Sequence, residues 1–229
     1  MKLNKFFVFA LLLVFISFTK QPLAAVAQSI MTVGDFFKTV SEKYSKINDF
    51  EVTTEITVDK QAMNGKVSFK KPNMLRIDFS SPANQVIVFN GDDLTIYLPG
   101  SSAILQQHVE GGSAAGGASI ATPQGLSLIS RYYYMAYETG PNPVPLEEGS
   151  EEKVVRLVLN RKNSTESFTK ILLSISPDTK LIRRVEAFTP QGQKFVFDFY
   201  DYSVNVGIAE QRFIYDAPSS ANNYNNFLY

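Results

Sequence analysis

Cysteine and tryptophan are absent from the 229 residues, and histidine occurs once, at His108. The missing thiols exclude disulfide staples, thiolate metal sites, a cysteine nucleophile and an acylated amino-terminal cysteine on this chain. A lone histidine cannot build a histidine metal cluster, and it leaves nucleophile–base catalysis without its usual base. An excess of positive charge is lacking too, since 22 Lys+Arg balance 22 Asp+Glu. Residues 1–27 hold Lys2, Lys5 and Lys20 and no acid, so the rest carries 19 bases and 22 acids, a net charge of −3. Nucleic-acid proteins usually concentrate basic charge, so no nucleic-acid partner is expected. The Gly-rich stretch 111–117 lacks the Gly-Lys-Ser/Thr ending of a phosphate loop and reads as a linker or lid hinge. Asp92-Asp93 and Glu147-Glu148 fall in turn-rich segments, where solvated charge is the default. No catalytic residue, metal or cofactor is assigned, and the chain does not read as an enzyme.

What is present begins with an export signal. Met1-Lys2-Leu3-Asn4-Lys5 is a short basic start, Phe6 to Phe18 is an apolar run of 13 residues, and Ala25-Val26-Ala27 fits the small-x-small cleavage rule. The run is shorter than the ~20 residues of a spanning helix. Residues 1–27 are therefore expected to be a cleaved signal peptide and 28–229 a single extracytoplasmic domain. A bacterial periplasm is favoured because a secreted eukaryotic domain more often uses disulfides.

With 45% hydrophobic and 19% charged residues the chain is of globular type. Val33, Phe36, Phe37, Val40, Tyr44 and Ile47 recur at helical steps behind Thr32, a candidate N-cap. The period then drops to two. Phe50, Val52, Thr54, Ile56 and Val58 alternate with polar neighbours, as do Val67 and Phe69, and then Leu75, Ile77 and Phe79. Asn64-Gly65, Lys71-Pro72-Asn73 and Ser81-Pro82-Ala83-Asn84 read as turns. Strands at Gln85–Phe89 and Leu94–Leu98 complete an antiparallel meander. Thr122-Pro123 opens a second helix that runs to about 137 through Leu126, Ile129, Tyr133 and Ala136. Further strands are expected at Val154–Leu159, Thr169–Ser176, Leu181–Phe188, Lys194–Tyr202 and Ala209–Tyr215, followed by a mobile Asn-rich tail.

This makes about ten one-faced strands and only two or three short helices to cover them. Either the sheet folds into a filled sandwich or barrel, or a curved open sheet wraps the helices around an apolar cavity for a greasy ligand. Periodicity leaves both packings open.

Three stretches carry a family resemblance. Gly65 to Phe79 runs a strand through Lys71-Pro72-Asn73 into a second strand; Val86 to Pro99 holds two strands around Asn90-Gly91-Asp92-Asp93 and ends on Tyr97-Leu98-Pro99; and Phe213-Ile214-Tyr215-Asp216-Ala217-Pro218 comes late in the chain. Together, in this order, they resemble LolA, the periplasmic carrier family of outer-membrane lipoproteins. The resemblance implies a mostly β (α+β) fold: an unclosed antiparallel half-barrel whose N-terminal helix and central helical lid, an insertion at about 110–148, enclose a hydrophobic cavity. It implies a carrier that shields lipoprotein acyl chains, with an inner-membrane lipoprotein-releasing transporter as donor, an outer-membrane acceptor as a further partner, and a monomeric state. Val52, Ile56, Phe69, Leu75, Ile77, Phe79, Val88 and Ile96, with Leu126, Ile129 and Tyr133 from the lid, are the expected acyl-binding surface. Lys71 stands where the family has the Arg that latches its lid, and Ile77 and Thr95 stand at its Trp positions. A carrier or sensor of other lipids on the same scaffold, like RseB, and a fully packed structural module are the competing readings.

Overall fold

The computed structural model describes residues 31–109 and 122–227. The expected signal peptide and the Gly-rich stretch at 111–117 lie outside the described residues. Helix α1 (Val33–Ser45) starts where Thr32 caps it: the hydroxyl accepts from the Asp35 amide at 3.1 Å and donates to the Asp35 carboxylate at 2.7 Å. After α1 come β1 (Asp49–Val58), β2 (Gln61–Lys70), β3 (Met74–Ser81), β4 (Val86–Phe89), β5 (Asp93–Leu98) and β6 (Ala103–His108). Helix α2 (Pro123–Tyr132) leads directly into β7 (Tyr133–Tyr137). The chain ends through β8 (Val144–Pro145), β9 (Lys153–Arg161), β10 (Lys170–Ile175), β11 (Ile182–Phe188), β12 (Lys194–Val204) and β13 (Asn222–Asn225).

All the strands but β8 form one continuous ladder in the order β13-β6-β5-β4-β3-β2-β1-β12-β11-β10-β9-β7, with β8 pairing to β9. The two end strands, β13 and β7, are not paired to each other, so the sheet is open. Register puts aliphatic side chains in rows across it. Val52 faces Val67, Val67 faces Ile77, Ile77 faces Ile87, and Ile87 faces Ile96. On the other half Ile56 faces Phe197, Phe197 faces Val185, Val185 faces Leu173, and Leu173 faces Leu157. Directly opposed residues share a face, so both rows lie on the same side, where α1 and α2 also bury their apolar stripes. Among the described residues no helix is long and apolar enough to cross a membrane.

The outer face is polar and stitched by charge. Arg183 and Arg184 both reach Asp198, at 2.9 and 2.6 Å, and Arg184 also holds Glu147 at 2.7 Å. A smaller apolar cluster sits on this side, where Ile208 and Phe213 from the C-terminal segment cover Val86 and Val88. Asp78 clamps that segment through Arg76 at 2.8 Å and through Arg212. Burial opposes ionisation of Asp78, but the two guanidinium partners outweigh it and hold its carboxyl below the usual range.

Several expected boundaries move. Asn64-Gly65 is not a turn but lies inside β2, and the β1–β2 reversal falls at Asp59-Lys60, with Asp59 at φ 56°. Gly65 is there because a strand backbone passes close: an added Cβ would stand 2.6 Å from the Asp78 carbonyl oxygen. The second helix stops at Tyr132, and Tyr133–Tyr137 instead pair with Arg161–Leu157 as a strand, in keeping with three tyrosines in five residues. The segment expected as a last strand forms a short 3-10 turn at Glu210–Phe213, and the Asn-rich tail supplies β13, parallel to β6. Gly65→Ala should lower the denaturant midpoint by the equivalent of about 1–3 kcal/mol; an unchanged midpoint would mean that β2 and β3 are not this close.

Candidate functional site

The concave apolar face and the two helices over it are the candidate site. Val52, Ile56, Phe69, Leu75, Ile77 and Phe79 from the sheet share one buried cluster with Leu126, Ile129 and Tyr133 from the α2–β7 arm. Ile96 is half-buried, across from Ile87 toward the β6 side of the sheet. Val88 does not join them. In β4 the alternation points Val86 and Val88 outward, where Ile208 and Phe213 cover them, and turns Ile87 and Phe89 inward. The apolar run Val86–Phe89 has no polar residue to mark its phase, so its sequence alone does not distinguish Ile87 from Val88 as the concave member.

Helix α1 supplies what the sequence-based choice of site residues omitted. Phe36, Phe37, Val40 and Tyr44 are all buried in the same cluster. Their helical spacing was the available signal. Tyr44 is fully buried, and its hydroxyl accepts from the Ile182 amide at 3.0 Å, while Tyr202 donates to the Ile182 carbonyl at 2.9 Å. Burial pushes the Tyr44 phenol up to about 12, and Tyr202 is raised as well, by burial and by Tyr44 beside it. Both ends of α1 are tied to the sheet. At the first, Tyr137 donates to the Thr32 carbonyl at 3.1 Å. At the last, the Lys71 ammonium donates to the Ser45 carbonyl at 2.6 Å, a cation at the negative end of the helix. Asn205 accepts from the Asn48 amide at 2.7 Å just beyond.

Helix α2 is seated differently. Thr122 caps it through the Gly125 amide at 3.1 Å, with Pro123 in its first turn. At its far end Lys162 donates twice, from its amide to the Tyr132 carbonyl at 2.9 Å and from its ammonium to the Ser130 carbonyl at 2.8 Å. The Tyr133 hydroxyl donates to the Phe168 carbonyl at 3.3 Å. Between the helices lies an open cleft of about 520 Å³, with Val33, Phe37 and Ser41 on one wall and Leu126, Ser127 and Ser130 on the other. Its size falls within the ~300–1,000 Å³ of small-molecule pockets. Phe37, Leu126 and Tyr133 on its walls belong to the concave cluster, so the cleft leads down onto it.

Comparison with known proteins fits this arrangement. The family model described as outer membrane lipoprotein carrier protein LolA matches residues 48–115. The resemblance is to LolA. An outer-membrane lipoprotein carrier protein of Pseudomonas paraeruginosa is 23% identical over 158 residues, 69% of each chain. A solved structure of an uncharacterized conserved protein from Thermus thermophilus superposes with a TM-score of 0.53 at 13% identity, covering 82% of this chain and 98% of that one, and shares its fold. A LolA superfamily protein from Nitrosomonas europaea gives a TM-score of 0.42 at 13% identity, covering 80% and 98%.

The fold is thus a LolA-like open half-barrel with more strands than the ten expected. Two departures from the LolA pattern gain a location. Lys71, at the latch position, reaches α1 and not α2. Of the two Trp-replacing residues, Ile77 faces the concave cluster, whereas Thr95 lies across from Val88 on the outer face.

The buried phenol at Tyr44 generates a prediction. Its folded-state pKa lies above the ordinary value of about 10, so its contribution is complete below pH 10 and is lost as pH climbs toward 12. Tyr44→Phe should cost about 1–3 kcal/mol at neutral pH by orphaning the Ile182 amide, and should flatten the fall of stability between pH 10 and 12. Denaturant melts at several alkaline pH values would read both; an unaltered alkaline slope would place Tyr44 outside the core.

Proposed function

We propose that this protein is a periplasmic carrier that shields acyl chains of lipid-modified proteins between the half-barrel and its helices, in transit toward an outer membrane. The observation that carries the reading is the apolar concave face, covered by two helices where an ordinary sandwich would use a second sheet. The LolA resemblance and the export-type start of the chain support it. In this reading residues 28–229 are the carrier domain, and the donor and acceptor are a lipoprotein-releasing transporter and an outer-membrane receptor.

The acyl surface is formed by Val52, Ile56, Phe69, Leu75, Ile77, Phe79 and Ile96, joined by Ile87 in place of Val88. These side chains are covered when the helices are seated, so loading requires one helix to leave. Helix α1 is the fixed one, bonded at both ends, with Lys71 holding its C-terminal carbonyl. Helix α2 is the lid. It follows the Gly-rich 111–117 stretch in sequence, and the Lys162 bonds give it a pivot at its far end. Swinging α2 lifts Leu126, Ile129 and Tyr133 off the cluster and exposes the face to a chain.

The absence of native cysteine makes the test clean. Ser41→Cys with Ser127→Cys, on opposite walls of the cleft, should take up a fluorescent fatty acid when reduced and lose uptake when bridged by a short reducible cross-linker. Uptake that survives bridging would show that α2 is not the lid. No uptake in either state, with no acyl species co-purifying from a periplasm by native mass spectrometry, would leave a packed β module.

A further inference from the structure

Strand β7 ends the ladder, with β9 on its inner side. The register shows where its backbone groups go. The Lys162 amide donates to the Tyr132 carbonyl at 2.9 Å and the Glu138 amide to the Arg156 carbonyl at 3.0 Å, so the even-numbered positions of β7 are the ones bonded to β9. Tyr134 and Ala136 therefore turn their amides and carbonyls toward β9, while Met135 and Tyr137 turn theirs away from the sheet. The Tyr133 amide is taken by the Ile129 carbonyl of α2. The outer row of β7 thus holds the Met135 and Tyr137 amides and the Tyr133, Met135 and Tyr137 carbonyls, and among the described residues no strand pairs with it.

End strands are ordinarily guarded by charge, proline, a bulge or a covering segment. At the opposite end of the ladder the edge of β6 is covered by β13, whose sequence is Asn-Asn-Tyr-Asn. Strand β7 reads Tyr-Tyr-Met-Ala-Tyr, without charge, proline or glycine, and pairs with β9 in unbroken register. What fits such an edge is another extended backbone, which repeats donors and acceptors at strand spacing. Continuity with the candidate site chooses the occupant. Tyr133, Tyr134 and Met135 line the cleft between α1 and α2, so the edge starts where an acyl chain would enter. A lipid-modified protein whose chain lies in that cleft brings its own polypeptide to β7.

We propose that the edge of β7 binds the polypeptide of the acylated protein, taking the first residues after its lipid-bearing amino terminus as an added strand. The inference rests on the carrier reading and deepens it, since it names how the protein part of the cargo is held. The lipid-bearing residue sits at the Tyr133 end, over the cleft, and the chain runs parallel to β7 toward Tyr137, a span of roughly 13 Å. Backbone pairing reads strand conformation and not side chains. One edge therefore serves cargoes of unlike sequence, while the cleft supplies the requirement for an acyl chain.

Four ligands test it by displacing a fluorescent fatty acid from the full chain. They are a diacylglyceryl-cysteine amide, the same acylated cysteine followed by a six-residue uncharged peptide, and two forms of that lipopeptide N-methylated at alternate residues, one on the even positions and one on the odd. The unmodified lipopeptide should bind about tenfold tighter than the amide, as a few added backbone bonds allow. One methylated form blocks the amides that face β7 and should lose this gain; the other should keep it. Met135→Pro removes one outward amide and leaves the bonds to β9 in place. It should lower the lipopeptide-to-amide affinity ratio about three- to fivefold, whereas Met135→Leu should preserve the ratio. The methylated ligands give the same readout on the unaltered protein. A gain that both methylated forms keep, or both lose, lacks the alternation of a strand and overturns the inference. Equal binding of the amide and the lipopeptides also overturns it and leaves the carrier reading standing, whereas binding of no acyl ligand overturns the carrier reading itself. A dimer in sedimentation velocity that Met135→Pro dissociates would give the edge to a second copy, and the inference falls.

Discussion

The seating of α1 in the concave face is the interaction on which the rest of the structure depends. An open sheet twelve strands along its ladder leaves one apolar side without a partner sheet, and something must exclude water from it. Phe36, Phe37, Val40 and Tyr44 do so with one helix face, each worth roughly 1.5–3 kcal/mol of burial. Tyr44 adds direction. Its hydroxyl meets the Ile182 backbone, so α1 has one rotation and one depth at which the buried phenol is satisfied. Polar ties at Thr32 and Ser45 then fix both ends against β7 and the β2–β3 turn.

With α1 fixed, α2 inherits a different part. It covers what remains of the face through Leu126, Ile129 and Tyr133, and its backbone ends on Lys162 and β7. In the proposed carrier, the cleft between the helices is the seam between the fixed cover and the movable one. Such a division is what a carrier requires, because a cover that is equally tight everywhere would be core and one that is loose everywhere would expose the face. The outer side of the sheet has a cleft of its own, about 410 Å³, between β4–β6 and the C-terminal segment. On that side Asp198 with two arginines and Asp78 with two more lock the flanking segments down by paired charge.

Much of this arrangement was legible in the residues, and what was not has physical reasons. The alternation of Phe50 to Val58 and of Leu75 to Phe79 marks both the strands and their inward faces without ambiguity, because polar residues fill every other position. Val86 to Phe89 lacks such a marker, so only the pairing with β3 reveals that Ile87 faces in. The Tyr133–Tyr137 run satisfies helical and strand periods alike, and its pairing to β9 decides for the strand. Asn64-Gly65 has the composition of a turn, yet its glycine answers a close backbone approach by β3 that no local pattern records. The Asn-rich tail is polar enough to read as loose chain, but β6 offered an unpaired edge and β13 fills it.

The same magnitudes argue for reversible handover. A saturated chain of about sixteen carbons gains roughly 13 kcal/mol on leaving water, at ~0.8 kcal/mol per CH₂. If that whole gain were realised in an empty hollow, release to an acceptor would be slow. In the proposed carrier the face is covered beforehand by Leu126, Ile129 and Tyr133, and lifting these three costs about 5–9 kcal/mol by the same scale. The difference is what the ligand keeps, a few kcal/mol, enough to protect a chain from water and small enough to surrender it to a better apolar site. A face kept covered by a competing helix thus serves a carrier better than a cavity left open, which would hold its cargo tightly and, when empty, present its apolar lining to every other surface it met.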